Sequence, residues 1–401
     1  MNKKEVFAWG MYDLANTIFS ALFVTFFYPF YVKQFLGGNE FQIGLVFGLS
    51  MLAVGIIVPV IGAWSDLIGR RMPFIILFTI ICCILTAMVA KVPLLGALWA
   101  GFFANFAYHA ALTTYNALLP KIARPSEFGN VSGIGTGMGY LGTLVSLAIA
   151  AVLLSKLGWE TEVGAKAVFV ATAVMFFVFS LPTFFGIREN PSAKNERSVA
   201  QHVFDSAVSV GFTLKNITKH RDFFMFLLSQ FFYANAINAV IVFLFLFARQ
   251  QINLSVQAFF MVYVLQSFGA VFGSFLAGRW TDKHGSKKVL FWAGIAWIAV
   301  IGLLLFVTNL TMFIIAGILG GAALGAVWTA QRPKLVQMVS RSNVGQFFGF
   351  LELTNKFSGV LGPIVFGALA KFVSYQSALI SLIIFFALGL FFLHKVPGDV
   401  R

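Results

Sequence analysis

Charge is scarce in this sequence. Only 10% of its 401 residues are Asp, Glu, Lys or Arg, against about 25% in soluble domains, while 59% are hydrophobic. That balance excludes a soluble globular domain and identifies an integral membrane protein. Acids are scarcer still, with 14 Asp and Glu against 28 Lys and Arg, for a formal charge of +14. In a soluble chain such an excess would point to nucleic acid. Here its distribution gives another reading. With the N-terminus placed inside, Lys3, Lys4, Arg70, Arg71, Lys121, Arg124, Lys283, Lys287, Lys288 and most other cations fall in cytoplasmic loops. Lys33, Lys91, Lys156, Lys166, Arg249 and Lys371 fall outside. This positive-inside bias predicts two cytoplasmic termini, a cytoplasmic-membrane location, lipid as the surroundings and no nucleic-acid partner.

Cysteine is nearly absent. Cys82 and Cys83 are adjacent in an apolar run, which excludes a disulfide framework and any metal-ligand spacing. No P-loop is present, so ATP is not expected to drive the protein directly. No nucleophile with a base, and no metal cluster, can be assembled from the apolar runs, so we expect no enzyme, no cofactor and no metal. The opening Met-Asn-Lys-Lys-Glu leads into a run to Leu36 that is too long for a cleaved signal peptide and lacks a cleavage site. It is expected to stay as the first span.

Long apolar runs are what the chain has. A bilayer core about 30 Å thick needs about 20 apolar residues per helix, and the sequence offers runs at about 7–36, 41–64, 73–90, 93–119, 130–155, 164–186, 223–248, 255–277, 289–308, 311–331, 345–373 and 375–394. This predicts an all-α protein of twelve transmembrane helices. Pro29, Pro59 and Pro182 are tolerable because neighbouring helices re-satisfy freed backbone groups. Polar residues from Arg188 to Arg197 mark a linker, giving a bundle over 1–186, a cytoplasmic linker over 187–222 and a second bundle over 223–401. Within the linker Val203, Ala207, Val210, Leu214 and Ile217 recur at helical spacing, which predicts an amphipathic surface helix or an extension of the seventh span.

One stretch occurs twice. Gly62-Ala-Trp-Ser-Asp66-Leu-Ile-Gly69-Arg70-Arg71 returns, degraded, as Gly278-Arg-Trp-Thr-Asp282-Lys-His-Gly285-Ser-Lys287-Lys288, 216 residues later and again after the second span of its half. The pattern G-x-x-x-D-x-x-G-R-R resembles the signature loop of the major facilitator superfamily. The resemblance implies two six-helix, pseudo-symmetric bundles, a substrate site between them near mid-membrane, and transport by alternating access. The loops read as conformational latches, in which Gly62 permits close approach and Asp66 faces the N-terminus of a helix from the other half. The plainer alternative is a loop that only sets topology.

Ionisable groups inside spans are costly and therefore candidates for function. Asp13 is read as the coupling carboxylate, or as an acid paired with a cation to lock spans together. His109 either titrates and binds substrate or is satisfied by a neighbouring helix. Glu352, a further proton-coupling candidate, stands four residues before Lys356. The two form an intrahelical ion pair or, when parted, leave Lys356 to anchor a carboxylate. By the same resemblance spans 1, 4, 7 and 10 line the cavity. The candidate substrate contacts are then Asn16, Asn105, Tyr108, His109, Asn116, Gln230, Tyr233, Asn235, Asn238, Trp328 and Gln331, with Arg332 beside them. Amides and aromatics suit a small polar or zwitterionic molecule.

A closer likeness rests on Trp9-Gly-Met-Tyr12-Asp13-Leu-Ala15-Asn16, Ser132-Gly133-Ile-Gly135, Gly139-Tyr140-Leu-Gly142, Ser340-Arg341-Ser342, Phe347-Phe348-Gly349, Lys356 and Gly362-Pro363. In order and place these are similar to the vacuolar amino-acid effluxers linked to autophagy and their bacterial relatives. That branch commonly has Asp-Gly where this chain has Asn235-Ala236, and a longer loop between Ser342 and Phe347. The expectation is a monomeric secondary transporter of a small polar solute, with amino-acid efflux and proton coupling implied. Its rivals are a multidrug efflux antiporter and a membrane receptor or scaffold without turnover.

Overall fold

Apolar runs in lipid have no water to bond their amides, so each closes its hydrogen bonds within itself as a helix. A computed structural model describes residues 2–189, 198–215, 221–254 and 256–399, and among these no strand occurs. The chain enters as α1 (Lys3–Ile18), loosens into a π-helical stretch over Phe19–Phe27, and resumes as α2 (Tyr28–Gln34), forming one apolar span, Lys3–Gln34. Pro29 falls in the first turn of α2, directly after the π-helical stretch. There follow α3 (Glu40–Ile68), opened by a capping box between Asn39 and Gln42, α4 (Met72–Met88), α5 (Leu94–Asn116) and the short α6 (Leu119–Ile122). Next come α7 (Phe128–Leu157), α8 (Glu162–Gly186), α9 (Val199–Lys215) and α10 (Arg221–Ile252). The chain closes with α11 (Val256–His284), α12 (Ser286–Leu305), α13 (Leu310–Met338), α14 (Val344–Phe372) and α15 (Tyr375–Lys395).

Eleven described spans are long and apolar enough to cross a membrane. The twelfth, α5, is 23 residues long but is diluted by Asn105, His109 and Asn116. Of the expected linker, 190–197 and 216–220 lie outside the described residues. The helix expected there is present as α9, and its exposed face is apolar. Val203 and Ala207 are exposed with Phe204, Val208 and Phe212, while His202, Ser206 and Thr213 are buried beside Val210. The polar face can turn inward because Ser206 Oγ donates to the His202 carbonyl (2.6 Å) and Ser209 Oγ donates to Gln346 Oε1 (3.3 Å). Ile217 lies outside the described residues.

The chain forms two compact units. One comprises 1–123, 138–210 and 341–352, the other 124–137, 211–340 and 353–401. Each unit thus takes the opening turns of a helix, α14 or α7, from the other half of the sequence, which the simple division at 187–222 does not anticipate. The reason lies in the signature loops described below.

In the first unit the core is built on the Trp9–Tyr12 segment. Trp9 stacks on Tyr115 with ring centroids 4.8 Å apart, and Tyr12 packs on the same ring at 4.7 Å. The Tyr115 hydroxyl donates to the Trp9 carbonyl (3.0 Å), and the Tyr12 and Thr79 hydroxyls share a bond of 2.6 Å. These contacts tie α1 to α5 and α4. In the second unit Tyr233 of α10 plays the matching part: its hydroxyl donates to the Leu290 carbonyl (3.1 Å), and its ring fills notches left by Gly294 and Gly389.

Packing should outweigh hydrogen bonding in this core. Truncating a buried tryptophan costs about 3–5 kcal/mol, whereas hydrogen bonds between membrane helices average about 0.6 kcal/mol. Trp9→Ala is therefore expected to lower unfolding stability several-fold more than Tyr12→Phe, read by denaturation in mixed micelles. Equal losses would contradict this order.

Candidate functional site

The first signature loop is built at the end of α3. Gly69 ends the helix in the left-handed region (φ 68°), which returns its N–H to the Asp66 carbonyl. Asp66 is thereby left on the last turn with two free oxygens. One accepts from Arg71 Nη2 (2.7 Å), and the other from the Gln346 N–H (3.0 Å), with the Gly345 amide also bonded to the carboxylate. Gly345 and Gln346 are in the first turn of α14, whose amides have no partner inside the helix. A Cβ on Gly62 would strike the Gly345 carbonyl, so glycine is what lets the two backbones meet. Arg70 remains exposed.

The second loop repeats this in the other unit. Asp282 Oδ1 accepts the Gly129 N–H (2.6 Å) and Oδ2 the Asn130 N–H (2.8 Å), in the first turn of α7. Gly278 lies against Gly129 and Gly133, and Gly285 takes a positive φ of 94° before α12. No arginine follows here. Lys287 directs its ammonium to the carbonyls of His394 and Val396, and Lys288 is exposed.

Within the first unit the buried polar residues fall into three groups. Asp13 and Asn16, one turn apart on α1, are buried, and Asn16 Nδ2 donates to Asp13 Oδ1 (3.3 Å). His109 of α5 lies 3.5 Å, through Nδ1, from a carboxylate oxygen of Glu352 on α14, both side chains being buried. Tyr108 packs between Phe19 and the His109 ring. Asn105 Nδ2 donates to Ser50 Oγ (3.0 Å), leaving its Oδ1 without a partner, as is Asn116 Oδ1. Glu352 thus has a partner on another helix, which its spacing from Lys356 did not reveal.

In the second unit Asn235 Nδ2 donates back to the Phe231 carbonyl (2.7 Å), and Asn238 Nδ2 to Ser358 Oγ (3.3 Å). Among the described residues, the buried amide side-chain atoms without partners here are Gln230 Nε2, Asn235 Oδ1, Gln331 Oε1 and, missed in the sequence, Asn355 Oδ1. Arg332 Nη1 donates to Thr136 Oγ1 (3.4 Å), and Trp328 and Lys356 are half-buried. Tyr233 is enclosed by packing, as described above. No group of His, Cys, Asp and Glu suited to a metal exists among the described residues.

Buried amide atoms left open on α5, α10, α13 and α14 are costly unless something polar visits them. A family model described as Vacuole effluxer Atg22 like matches residues 126–399. The chain belongs to this Atg22-like family. An uncharacterized MFS-type transporter of Bacillus subtilis (strain 168), YxiO, is 25% identical over 412 residues, covering 99% of this chain and 95% of that protein. A multi-drug resistance efflux pump PmrA homolog of Lactococcus lactis subsp. lactis (strain IL1403) is 24% identical, covering 90% and 86%. The fold matches FucP, a major facilitator superfamily transporter in the outward conformation, with TM-score 0.76 at 13% identity over 98% of each chain. This Atg22-like protein is accordingly a multi-pass secondary transporter of the major facilitator superfamily.

In this Atg22-like transporter the glycine motifs mark helix contacts. Gly142 of α7 abuts the Leu14 carbonyl of α1, and Gly362 of α14 abuts that of Asn235. A second pair of carboxylates was not singled out in the sequence. Glu189 accepts the Arg71 and Met72 amides (2.8 and 2.7 Å) at the start of α4 and pairs with Lys121 (3.3 Å). Asp399 accepts the Lys287 amide (2.9 Å) at the start of α12 and pairs with Lys334 (2.9 Å). The available signal was the repeated Pro120-Lys121 and Pro333-Lys334, each after the fourth span of its half.

Lys334 and Asp399 are only 2% and 10% exposed, so stranding one charge should cost about 3–5 kcal/mol. We expect Asp399→Asn to destabilise by about 3 kcal/mol, and the double variant Lys334→Met with Asp399→Asn to recover most of it in chemical denaturation. A double variant no better than the single would show that the charge pairing is not the cause.

Proposed function

We propose that this transporter moves a small polar solute, with amino acids the leading class, across the cytoplasmic membrane by proton-coupled alternating access, both termini being cytoplasmic. The observation that supports it most is the buried His109–Glu352 pair. A carboxylate and an imidazole 3.5 Å apart and away from water attract one another when the imidazole carries a proton, so moving one proton on or off the pair changes what holds it. The pair also has mechanical reach. Glu352 and the Gln346 amide held by Asp66 belong to one helix, α14, and are about 9 Å apart along its axis. Protonation at Glu352 would leave the start of α14 held mainly by the Asp66 latch. Asp13, joined to Asn16, is the second coupling carboxylate.

The open amides of Asn105 and Asn116 in the first unit, and those of Gln230, Asn235 and Gln331 in the second, offer the donors and acceptors that a small polar molecule needs. The six-helix halves, 1–186 and 223–401, would rock as bodies while Asp66 and Asp282 grip and release helix ends. A carboxylate at such an end is worth about 0.3–1 kcal/mol when exposed and up to about 2 kcal/mol when partly buried, enough to bias two states several-fold.

A second reading, multidrug efflux by proton antiport, is favoured by the likeness to the PmrA homolog. Thermal unfolding with amino acids and lipophilic cations separates the two, since a ligand at 100 times its Kd stabilises by about 2.7 kcal/mol. Protection by amino acids that is lost in Asn105→Ala supports the first reading, and protection by lipophilic cations alone replaces it.

In proteoliposomes carrying a pH gradient, Glu352→Gln and Asp13→Asn are expected to abolish proton-driven accumulation while leaving solute exchange intact. Undiminished coupling in both would sink the proton mechanism. Asp66→Asn should shift the conformational equilibrium by about fivefold, equivalent to about 1 kcal/mol, in spin-label distance distributions; an unchanged distribution would leave the loop a topology signal.

A further inference from the structure

Beside the second signature loop the structure has a cleft of about 1190 Å³, formed wholly within the second unit. Its cations are Arg124, Lys283, Lys287 and Lys288, with the imidazoles of His284 and His394 beside them, and its acids are Asp282 and Asp399. Both acids are already engaged, Asp282 by the α7 amides and Asp399 by Lys334 and the Lys287 amide. Lys287 is engaged too, through the His394 and Val396 carbonyls. Arg124, Lys283 and Lys288 are exposed and, among the described residues, have no acidic partner. The cleft therefore holds uncompensated positive charge.

A smaller groove of about 270 Å³ continues from it, sharing His284, Lys288 and Trp292 and adding Trp280 and Val289. Its two indoles are 48% and 61% exposed, Trp280 and Trp292 respectively. Cations alone would suit any anion. Cations opening directly onto an apolar slot between two tryptophans suit an anion that carries a hydrocarbon chain. Tryptophan favours the depth where headgroup meets acyl chain, and each lysine or arginine near an anionic lipid surface strengthens attachment about fivefold.

We propose that this cleft and groove bind one anionic phospholipid. Its phosphate lies among Arg124, Lys283 and Lys288, and an acyl chain lies between Trp280 and Trp292. The inference rests on the membrane placement of the family and is independent of substrate and coupling ion. Because Lys283 and Lys288 flank the loop that carries Asp282, a bound lipid would steady that loop against α7.

The test is a titration of the purified full chain in detergent with phosphatidylglycerol, phosphatidylcholine and glycerol 3-phosphate, following bound lipid by native mass spectrometry and the melting temperature in parallel. Phosphatidylglycerol is expected to bind and raise the Tm, and the other two to do neither. Lys283→Gln with Lys288→Gln should weaken phosphatidylglycerol binding by about tenfold or more, and Trp280→Ala with Trp292→Ala should also weaken it. All four side chains are exposed, so both double variants should fold, which the Tm without lipid checks. The control Lys3→Gln with Lys4→Gln should bind as the wild type does. Equal binding of phosphatidylcholine, equal protection by glycerol 3-phosphate, wild-type affinity in the lysine variant, or an equal loss in the control would each overturn the proposal. The second of these would assign the cleft to a free anion.

Discussion

A carboxylate set against the open amides of a helix end recurs four times among the described residues, and the rest of the structure depends on it. Asp66 holds the start of α14, Asp282 the start of α7, Glu189 the start of α4 and Asp399 the start of α12. The physical need is general. The first turn of any helix exposes N–H groups with no partner in the helix, and the aligned peptides leave positive charge there. Where a loop packs against a neighbouring helix, a carboxylate can satisfy both. The contact can also be undone without unfolding either helix, since its two sides belong to different elements.

The four carboxylates form two kinds of joint. Glu189 and Asp399 each add a lysine, and each caps the helix that follows a signature loop. Asp66 and Asp282 reach instead to helices distant in sequence. That is why each compact unit contains opening turns from the other half of the chain: 341–352 goes with Asp66, and 124–137 with Asp282. The glycines at 62 and 278 make the approach possible, because a side chain there would occupy the place of a backbone atom of the partner.

Much of this was legible in order and kind. The duplicated loop, the membrane spans and the polar residues of α1, α5, α10 and α13 all follow from the period and type of residues. Even the target of Asp66, a helix N-terminus from the other half, could be expected from chemistry, although which helix could not. Other features had no local signature. The π-helical stretch at Phe19–Phe27 lies in a run broken only by Ser20 and Thr25, with no glycine or proline within it, and the notch for Tyr233 is made by two glycines on separate helices. Glu352 has a lysine one turn away in sequence, which hid its pairing with His109. Which side of α9 is covered also had no local signature: a serine that bonds its own backbone can be buried like an apolar residue, so Ser206 turns inward while Phe204 and Phe212 do not.

By itself the sequence determined that the protein spans a membrane many times, that its two halves repeat, and that a charged loop follows the second span of each. These properties depend on residues near one another in the chain: apolar length, cation bias and the spacing of glycine and aspartate. Only the tertiary structure decided which carboxylate meets which helix end, which buried amides are spent and which remain open, and where unpaired cations collect beside exposed tryptophans. Those outcomes depend on distances between residues up to 280 positions apart, as between Asp66 and Gln346, and such distances are set by how whole helices pack.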